Sequence, residues 1–234
     1  MIGYTITKRT LPEAYHEALT TLWRDGVEID CPAYDQKQRE LPMTIEVLEP
    51  AAEPRISKLI IGGPHELMQY ELELVDGILD FIVGKADNLW EYTYHQRYAH
   101  QLPFVLEELK RDKYTRRAVM SIRDFDVDST NEHPACLQSI QFFIRPHYKT
   151  GADALDRHVL FRSNDLPEAF YFNAFALTRL QEKVAEELGT GVGTYTHRSN
   201  SMHVYEKDYK MFESFAKKIE EVGGPDAPGI TYAY

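Results

Sequence analysis

Cysteine is scarce in this sequence, since Cys31 and Cys136 are the only two among 234 residues. Two isolated cysteines exclude a disulfide framework and a zinc site built from several cysteines. Because the first four residues lead directly into a polar, charged segment, we expect no signal peptide and a reducing, cytoplasmic setting. No apolar run approaches the roughly 20 residues that a membrane-spanning helix needs. We therefore expect a soluble protein with no membrane partner.

Positively charged residues are also fewer than negatively charged ones. The chain has 26 lysines and arginines against 37 aspartates and glutamates, which gives a net charge of −11. A general nucleic-acid or anionic-membrane binder needs a broad basic face, so this balance argues against a stable nucleic-acid partner. An anionic substrate would have to be held by a local cluster of arginines.

Two short motifs lack the partners that would give them a function. The segment His65 to Gln69 begins like a zinc-protease helix, but the second histidine one turn later is absent. The glycine-rich run 189–193 follows a predicted helix instead of opening one, so no helix N-terminus faces a phosphate there. We interpret that run as a helix C-cap and turn, and we expect no metal centre.

The hydrophobic content, 43% of the chain, is enough for one sizeable core, and we expect a single domain over residues 1–234. Local patterns predict helices at residues 10–23, 64–75, 102–110, 169–188 and 209–222. They predict strands at residues 43–48, 118–122, 137–144, 158–161 and 194–205. Because helices and strands do not alternate regularly, the predicted fold class is α+β and not a doubly wound sheet.

Cys136 is the most informative residue for function. It lies where a polar, acidic stretch gives way to a predicted strand, with Arg116 and Arg117 upstream and Arg162 downstream. Neighbouring cations stabilise a thiolate, which is the nucleophilic form of cysteine. The alternative is a small buried hydrophobic residue at the start of a strand, as free cysteines usually are. The flanking arginines favour a nucleophile beside an anion site.

Several motifs together resemble the thymidylate synthase family, part of a superfamily that also contains pyrimidine nucleotide hydroxymethylases. The intervals 136 − 116 = 20, 173 − 165 = 8 and 203 − 173 = 30 agree with the pattern of that family. The resemblance covers about residues 66–205 and is most similar to the short archaeal-type branch. It implies a mixed β-sheet packed with helices and a homodimer formed through the sheet faces. The motifs are Arg116-Arg117, Pro134-Ala135-Cys136, Gln141-Phe142, Arg162-Ser163-Asn164-Asp165, Phe172-Asn173 and His203-Val204-Tyr205.

The resemblance implies that Cys136 adds to C6 of the uracil ring of dUMP and activates C5. It implies that Arg162 and Ser163 hold the phosphate of the nucleotide. Arg116 and Arg117 would reach the phosphate in the other subunit, whereas charged pairs before a strand usually only solvate a turn. The sequence does not identify a phosphate-binding arginine in the amino-terminal half, and Arg39 is a guess from its position.

The base and sugar have their own implied contacts. Asn173 suits O4 and N3–H of uracil, because an amide can donate and accept, and family members that act on cytosine carry an acid there. An unpaired amide in its aromatic, apolar surroundings would cost about 1–3 kcal/mol, so a partner is expected. His203 and Tyr205 would bind the 3′-hydroxyl, since residues two apart on a strand point the same way. They could equally be two residues on a sheet surface.

The implied co-substrate is 5,10-methylenetetrahydrofolate, with Asp165 binding its pterin ring. Tyr94 and Glu66 match positions that organise waters for proton transfer, and the match is closer for Tyr94. The expected products are dTMP and dihydrofolate, which makes the protein a methyltransferase of nucleotide biosynthesis.

Two alternatives to methylation stay open. Leu137 stands where the family usually has a histidine and Phe161 where it has a glutamine, and the carboxyl-terminal residues up to Tyr234 are atypical. These differences concern the exclusion of water, so a hydroxymethylase acting on dUMP or another pyrimidine nucleotide is the first alternative. A non-catalytic nucleotide- or RNA-binding homologue is the second. Retention of Cys136 and Asn173 argues against it.

Overall fold

The computed structural model of this chain describes residues 2–85 and 91–233. In these ranges the α-helices are α1 (Leu11–Asp25), α2 (Pro64–Asp76), α3 (Tyr94–Tyr98), α4 (Leu102–Arg111), α5 (Phe125–Asp128), α6 (Tyr171–Leu188) and α7 (Tyr209–Glu221). The strands are β1 (Tyr4–Lys8), β2 (Val27–Cys31), β3 (Gln36–Val47), β4 (Ile56–Ser57), β5 (Val119–Ser121), β6 (Leu137–Pro146), β7 (Asp153–Phe161), β8 (Asn164–Asp165), β9 (Gly191–Tyr205) and β10 (Thr231–Tyr232).

Eight of these strands form one mixed sheet. Its path runs β1, β3, β9, β7, β6 and β5, with β2 paired to β3 and β8 paired to β9. The pairs β1–β3, β7–β9 and β8–β9 are parallel, and the others are antiparallel. Strands β4 and β10 form a separate antiparallel pair. The predicted α+β class with a mixed sheet is confirmed.

The two faces of the sheet have different surroundings. Along β9, Tyr195, His197 and Ser199 are buried, whereas Thr196 is half-buried and Arg198 is exposed, because alternate side chains of a strand point to opposite faces. Helices α1, α4 and α6 pack against the buried face. The predicted homodimer would cover the other face, and it stays a prediction.

The predicted helix boundaries agree closely with the structure. The carboxylate of Glu13 accepts a hydrogen bond from the backbone N–H of Thr10 at 3.0 Å, which is half of a capping box. Gly77 and Gly189 end α2 and α6 in the left-handed region, with φ of 67° and 66°. The run 189–193 is thus a C-cap, but it enters β9 at Gly191 without a longer turn.

The main difference from the predicted elements lies in the amino-terminal half. β3 begins at Gln36, earlier than the predicted start at residue 43, and β1 and β2 have no predicted counterpart. β2 is an edge strand whose residues Val27 to Asp30 are all exposed, so it has no buried face that an alternating pattern could reveal. Its pairing with β3 forms a hairpin, and this hairpin contributes to the site described below.

The carboxyl-terminal segment lies against the amino-terminal half. β10 pairs with β4, and Lys58 N donates to the carbonyl oxygen of Ile230 at 2.8 Å. Tyr234 lies outside the described residues. Within residues 2–85 and 91–233, no helix has the length and apolar character required to cross a membrane.

Candidate active site

A cavity of about 740 Å³ lies at the end of the sheet where β7 passes into β8. Seven separate segments line it: the β2–β3 hairpin, the second half of α2, residues 79–82, residues 92–94, the loop before β6, the β7–β8 connection with the start of α6, and the end of β9. Eight of the eleven predicted site residues fall in these segments. They are Tyr94, Cys136, Arg162, Ser163, Asp165, Asn173, His203 and Tyr205.

Cys136 lies at the wall of the cavity, one residue before β6. Its position relative to Arg162 is fixed because the backbone N of Arg162 donates to the carbonyl oxygen of Cys136 at 2.9 Å. Burial raises the pKa of the Cys136 thiol, and the positive charge of Arg162 opposes this rise. Within one protomer, Arg162 acts on the thiol and burial has the larger effect, so the expected field of three arginines stays a prediction for the homodimer.

The guanidinium of Arg162 is held by the loop that carries the cysteine. Its Nε donates to the carbonyl oxygen of Ala135 at 3.2 Å, and its Nη2 donates to that of Pro134 at 2.8 Å. These bonds orient the planar group beside Cys136 while it still lines the cavity. The neighbouring Ser163 also lines the cavity, with Oγ 3.4 Å from Nδ1 of His203. The two residues form a cationic and hydroxyl-bearing wall.

Arg116 and Arg117 do not line the cavity of their own protomer. Both are exposed before the edge strand β5, and the Nε of Arg117 lies 3.7 Å from the carboxylate of Glu108. The carbonyl oxygen of Arg116 accepts a hydrogen bond from Gln141. Arg39 also lies elsewhere, since its guanidinium stacks 4.7 Å from the ring of Trp23 and donates to the carbonyl oxygen of Trp23. Arg162 is the arginine that the described chain contributes to its own cavity.

Asn173 lies near the start of α6 and is 4% exposed. Its Oδ1 accepts a hydrogen bond from the hydroxyl of Tyr70 at 2.6 Å, so the partner that the sequence requires for this amide is a residue of α2. Both residues line the cavity. The amide group is therefore fixed on one side by α2 and open to the cavity on the other.

The orientation of His203 follows from its contacts. Its Nδ1 lies 3.2 Å from the carbonyl oxygen of Ser201, and a carbonyl can only accept, so Nδ1 carries the proton. Nε2 is then an acceptor, and it is buried without a partner among the described residues. Burial lowers the pKa of His203, which keeps the ring neutral. Tyr205 packs edge-on against this ring at 4.8 Å.

Asp165 is a carboxyl group in an unfavourable environment for its charge. Burial raises its pKa to about 7, although its Oδ1 accepts a hydrogen bond from the backbone N of Glu168 at 3.1 Å. The side chain lines the cavity, where a ligand that donates hydrogen bonds would stabilise the ionised form.

Tyr94 is half-buried and lines the cavity. Its hydroxyl accepts a hydrogen bond from the backbone N of Leu137 at 3.3 Å, and burial raises its pKa well above the usual range. The two flanking residues both bind Asp80: Thr93 donates to one carboxylate oxygen, and Nδ1 of His95 lies 2.6 Å from the other. Asp80 thus fixes the backbone on either side of Tyr94.

Glu66 does not line the cavity, in contrast to the expectation, and its role in the site stays a prediction. It is exposed in the first turn of α2, where its carboxylate accepts from the backbone N of Gly63 at 2.9 Å and caps the helix. Glu73 lies two turns later, about 10 Å further along the axis, and lines the cavity together with Tyr70. Glu73 is therefore the carboxylate of α2 that lines the cavity.

A sequence model of the thymidylate synthase family, described as "Thymidylate synthase", matches residues 58–224. The chain belongs to the thymidylate synthase family. This match includes every predicted site residue.

Relatives and solved structures agree with this assignment. A protein of Methanocaldococcus jannaschii named "Putative thymidylate synthase" is 30% identical over 218 residues, which cover 90% of this chain and 95% of that protein. A protein of the same name from Methanococcoides burtonii is 29% identical over 94% of this chain and 97% of its own length. The fold matches a thermostable thymidylate synthase A from Bacillus subtilis with a TM-score of 0.67 and 15% identity, over 89% of this chain and 84% of that one. The similarity to archaeal relatives is confirmed.

Sequence reasoning missed the part of the site that comes from the amino-terminal half. Tyr70 and Glu73 are spaced to share one helix face, which is a signal that could have indicated them. Cys31 and Tyr34 line the cavity from the β2–β3 hairpin, and Tyr34 packs edge-on against Tyr205 at 5.2 Å. No local pattern points to the hairpin, because its place depends on pairing with distant strands.

The donor chemistry of the site does not indicate a metal. Among residues 2–85 and 91–233, no group of three or more histidine, cysteine, aspartate and glutamate side chains could hold a metal ion.

Proposed function

We propose that this protein transfers a one-carbon unit from 5,10-methylenetetrahydrofolate to C5 of dUMP through a covalent Cys136 adduct, giving dTMP and dihydrofolate. The supporting observation is that one cavity joins a thiol, a guanidinium and a fixed amide in a member of the thymidylate synthase family. The three groups are Cys136, Arg162 and Asn173. They match the three chemical parts of the substrate: an electrophilic ring carbon, a phosphate and a ring edge with polar groups.

Cys136 is the proposed nucleophile. Addition of its sulfur to C6 moves the electron pair of the ring double bond onto C5, which can then bond to the one-carbon unit. Loss of the C5 proton and departure of the sulfur restore the ring. Because burial raises the pKa of this thiol in the single chain, formation of the thiolate depends on cations at the phosphate site.

The phosphate is proposed to bind Arg162 and Ser163. Arg116 and Arg117 of a second subunit complete this site in the proposed homodimer, since they are exposed and lie outside the cavity of their own protomer. Their charge would also favour the Cys136 thiolate. Substituting Arg116 and Arg117 with alanine should then weaken dUMP binding, as measured by calorimetry, although neither residue lines its own cavity.

The remaining nucleotide contacts use groups that have unfilled hydrogen-bonding capacity. Asn173 is proposed to bind the base, and Nε2 of His203 is proposed to accept a hydrogen bond from the sugar 3′-hydroxyl, with Tyr205 beside it. A buried acceptor without a partner is costly, so a hydroxyl donor from the ligand would relieve it.

The folate is proposed to occupy the part of the cavity near Asp165, whose carboxylate would bind the pterin ring. The cavity volume of about 740 Å³ falls in the range of sites for ligands of this size, and Leu79, Ile82 and Tyr92 give it an apolar wall. When bound, the folate supplies the one-carbon unit and the hydride that reduces it. The C5 proton is proposed to leave by way of Glu73 and Tyr94, which replace the predicted pair of Glu66 and Tyr94.

One observation favours the hydroxymethylase alternative. The carboxyl-terminal residues Thr231 and Tyr232 pair with β4, and no described residue beyond Tyr205 lines the cavity. A site that residues 206–233 do not close would admit water at the last step, which gives a hydroxymethyl nucleotide in place of dTMP.

One assay separates these reactions. The protein is incubated with dUMP and 5,10-methylenetetrahydrofolate while the absorbance of dihydrofolate is followed and the nucleotide product is analysed by mass spectrometry. Methylation produces dihydrofolate and dTMP in equal amounts. Hydroxymethyl-dUMP without dihydrofolate would support the alternative, and no modified nucleotide at all would contradict both.

A further inference from the structure

The hydrogen bond between Tyr70 and Asn173 joins two helices at the cavity wall. The hydroxyl of Tyr70, in α2, donates to Oδ1 of Asn173, in α6, at 2.6 Å. The ring of Tyr70 packs edge-on against Phe172 at 5.9 Å, so its position is fixed by the residue next to Asn173. The nitrogen of the amide, Nδ2, makes no hydrogen bond with any residue in the ranges 2–85 and 91–233.

The direction of this hydrogen bond determines the orientation of the Asn173 side-chain amide, with Oδ1 towards Tyr70. Burial raises the pKa of Tyr70, so its hydroxyl keeps its proton and needs an acceptor. Among the described residues, Asn173 Oδ1 is the acceptor that Tyr70 uses. If the amide turned over, Nδ2 would donate to the Tyr70 oxygen, and the phenol proton would lose the acceptor that Oδ1 provides.

We propose that Tyr70 is a positioning residue that sets the base specificity of the site. By holding Oδ1 of Asn173, it makes Nδ2 the group that faces position 4 of a bound pyrimidine. This inference rests on the proposed function, because it assumes that Asn173 binds the base.

The two pyrimidines differ at position 4. Uracil has a carbonyl oxygen there, which accepts from Nδ2, whereas cytosine has an amino group, which would place a donor against a donor. The free-energy cost of leaving a buried polar group unpaired is larger than the net gain from one hydrogen bond. The fixed amide should therefore bind cytosine much more weakly than uracil. Without the hydroxyl of Tyr70, the amide can rotate by half a turn and accept from the amino group of cytosine.

The test measures the dissociation constants of dUMP and dCMP by isothermal titration calorimetry. The wild-type protein is expected to prefer dUMP, and Tyr70→Phe is expected to reduce that preference by about five- to tenfold, mainly through tighter dCMP binding. The matched control is Tyr98→Phe, which removes a buried hydroxyl that donates to the carbonyl oxygens of Leu74 and Val75 and belongs to a residue that does not line the cavity. It should leave the ratio unchanged. Melting temperatures confirm that each variant is folded, and Tyr70→Leu provides a second variant without the hydroxyl.

A double-mutant cycle shows whether Tyr70 acts through the amide. In an Asn173→Ala background, Tyr70→Phe should not change the ratio of the two dissociation constants any further. An equal change in both backgrounds, or an unchanged ratio in Tyr70→Phe with dUMP still bound, would overturn the inference and leave the proposed function intact. If the wild-type protein binds neither nucleotide, the proposed function fails and the inference fails with it.

Discussion

The two walls of the cavity differ in how their residues come together. The carboxyl-terminal wall comes from β6 to β9 and α6, and each of its functional groups belongs to a short motif such as Arg162 to Asp165. The amino-terminal wall comes from the β2–β3 hairpin, α2 and residues 92–94, and its residues Tyr34, Tyr70 and Glu73 belong to no recognisable motif. The comparison shows that the residues of one wall belong to short sequence motifs, whereas those of the other wall are brought together only by tertiary contacts.

The walls also differ in chemistry. The carboxyl-terminal wall contributes the thiol, the guanidinium and the imidazole that would contact the nucleotide. The amino-terminal wall contributes mainly phenols and a carboxylate, which are proposed to orient other groups or exchange protons. The hydrogen bond from Tyr70 to Asn173 is a direct link between them. Substitutions of similar residues on opposite walls can therefore test whether this division of roles is real.

The largest difference between the walls is expected at the two cysteines. Cys136→Ser should lower turnover by about a thousandfold or more, because a hydroxyl is a poor replacement for the attacking thiolate. Binding of dUMP by calorimetry should stay within about threefold. The matched variant Cys31→Ser, on the hairpin, should keep most of the turnover. Turnover that survives in Cys136→Ser would refute covalent catalysis.

The next largest difference is expected between the two carboxylates of α2. Glu73→Gln should lower kcat by about 10²- to 10⁴-fold, the usual contribution of a group that transfers a proton. Glu66→Gln should change kcat by less than about twofold and reduce stability by roughly 0.5–1 kcal/mol, because Glu66 caps the helix. Steady-state kinetics and denaturant unfolding measure the two effects. A large loss of kcat in Glu66→Gln would restore the original assignment.

The same division explains what the sequence could predict. Cys136, Arg162, Asn173 and His203 were found because the resemblance has fixed intervals, and α1 and α6 were found because their caps are local. Glu66 was predicted but lies outside the cavity, because position along a helix decides which carboxylate reaches a cavity, and the start of the resemblance did not set that position. β2 could not be predicted, since an exposed edge strand has no buried periodicity. The single domain and the sheet-face homodimer stay predictions.

A smaller effect is expected for the buried carboxyl group of the carboxyl-terminal wall. The pKa of Asp165 is raised from 3.8 to about 7, so between these values the folded protein binds more protons than the unfolded chain. Its contribution to stability is therefore present at low pH and is lost as pH rises towards 7. Asp165→Asn should stabilise the ligand-free protein by about 1 kcal/mol or more at pH 8 and have a much smaller effect at pH 4, close to the unfolded pKa.

Thermal unfolding at both pH values measures this difference. The same variant should weaken folate binding. A more stable variant that binds folate less tightly would show that Asp165 lowers the stability of the protein while it contributes to ligand binding. A variant that is less stable than wild type at pH 8 would mean that the carboxylate has a stabilising partner in the folded protein.

The smallest functional effect is expected at Arg39, which tests whether the amino-terminal wall lacks a phosphate-binding arginine of its own. Arg39→Ala should leave the dissociation constant of dUMP within about twofold, because its guanidinium packs on Trp23 and donates to a backbone carbonyl, away from the cavity. Stability should fall by about 1 kcal/mol through loss of the cation–π contact and the hydrogen bond. Arg162→Ala, measured in the same calorimetric titration, should weaken dUMP binding strongly. A comparable loss of binding in both variants would mean that Arg39 leaves Trp23 when the nucleotide binds, and that the amino-terminal wall also supplies charge to the phosphate.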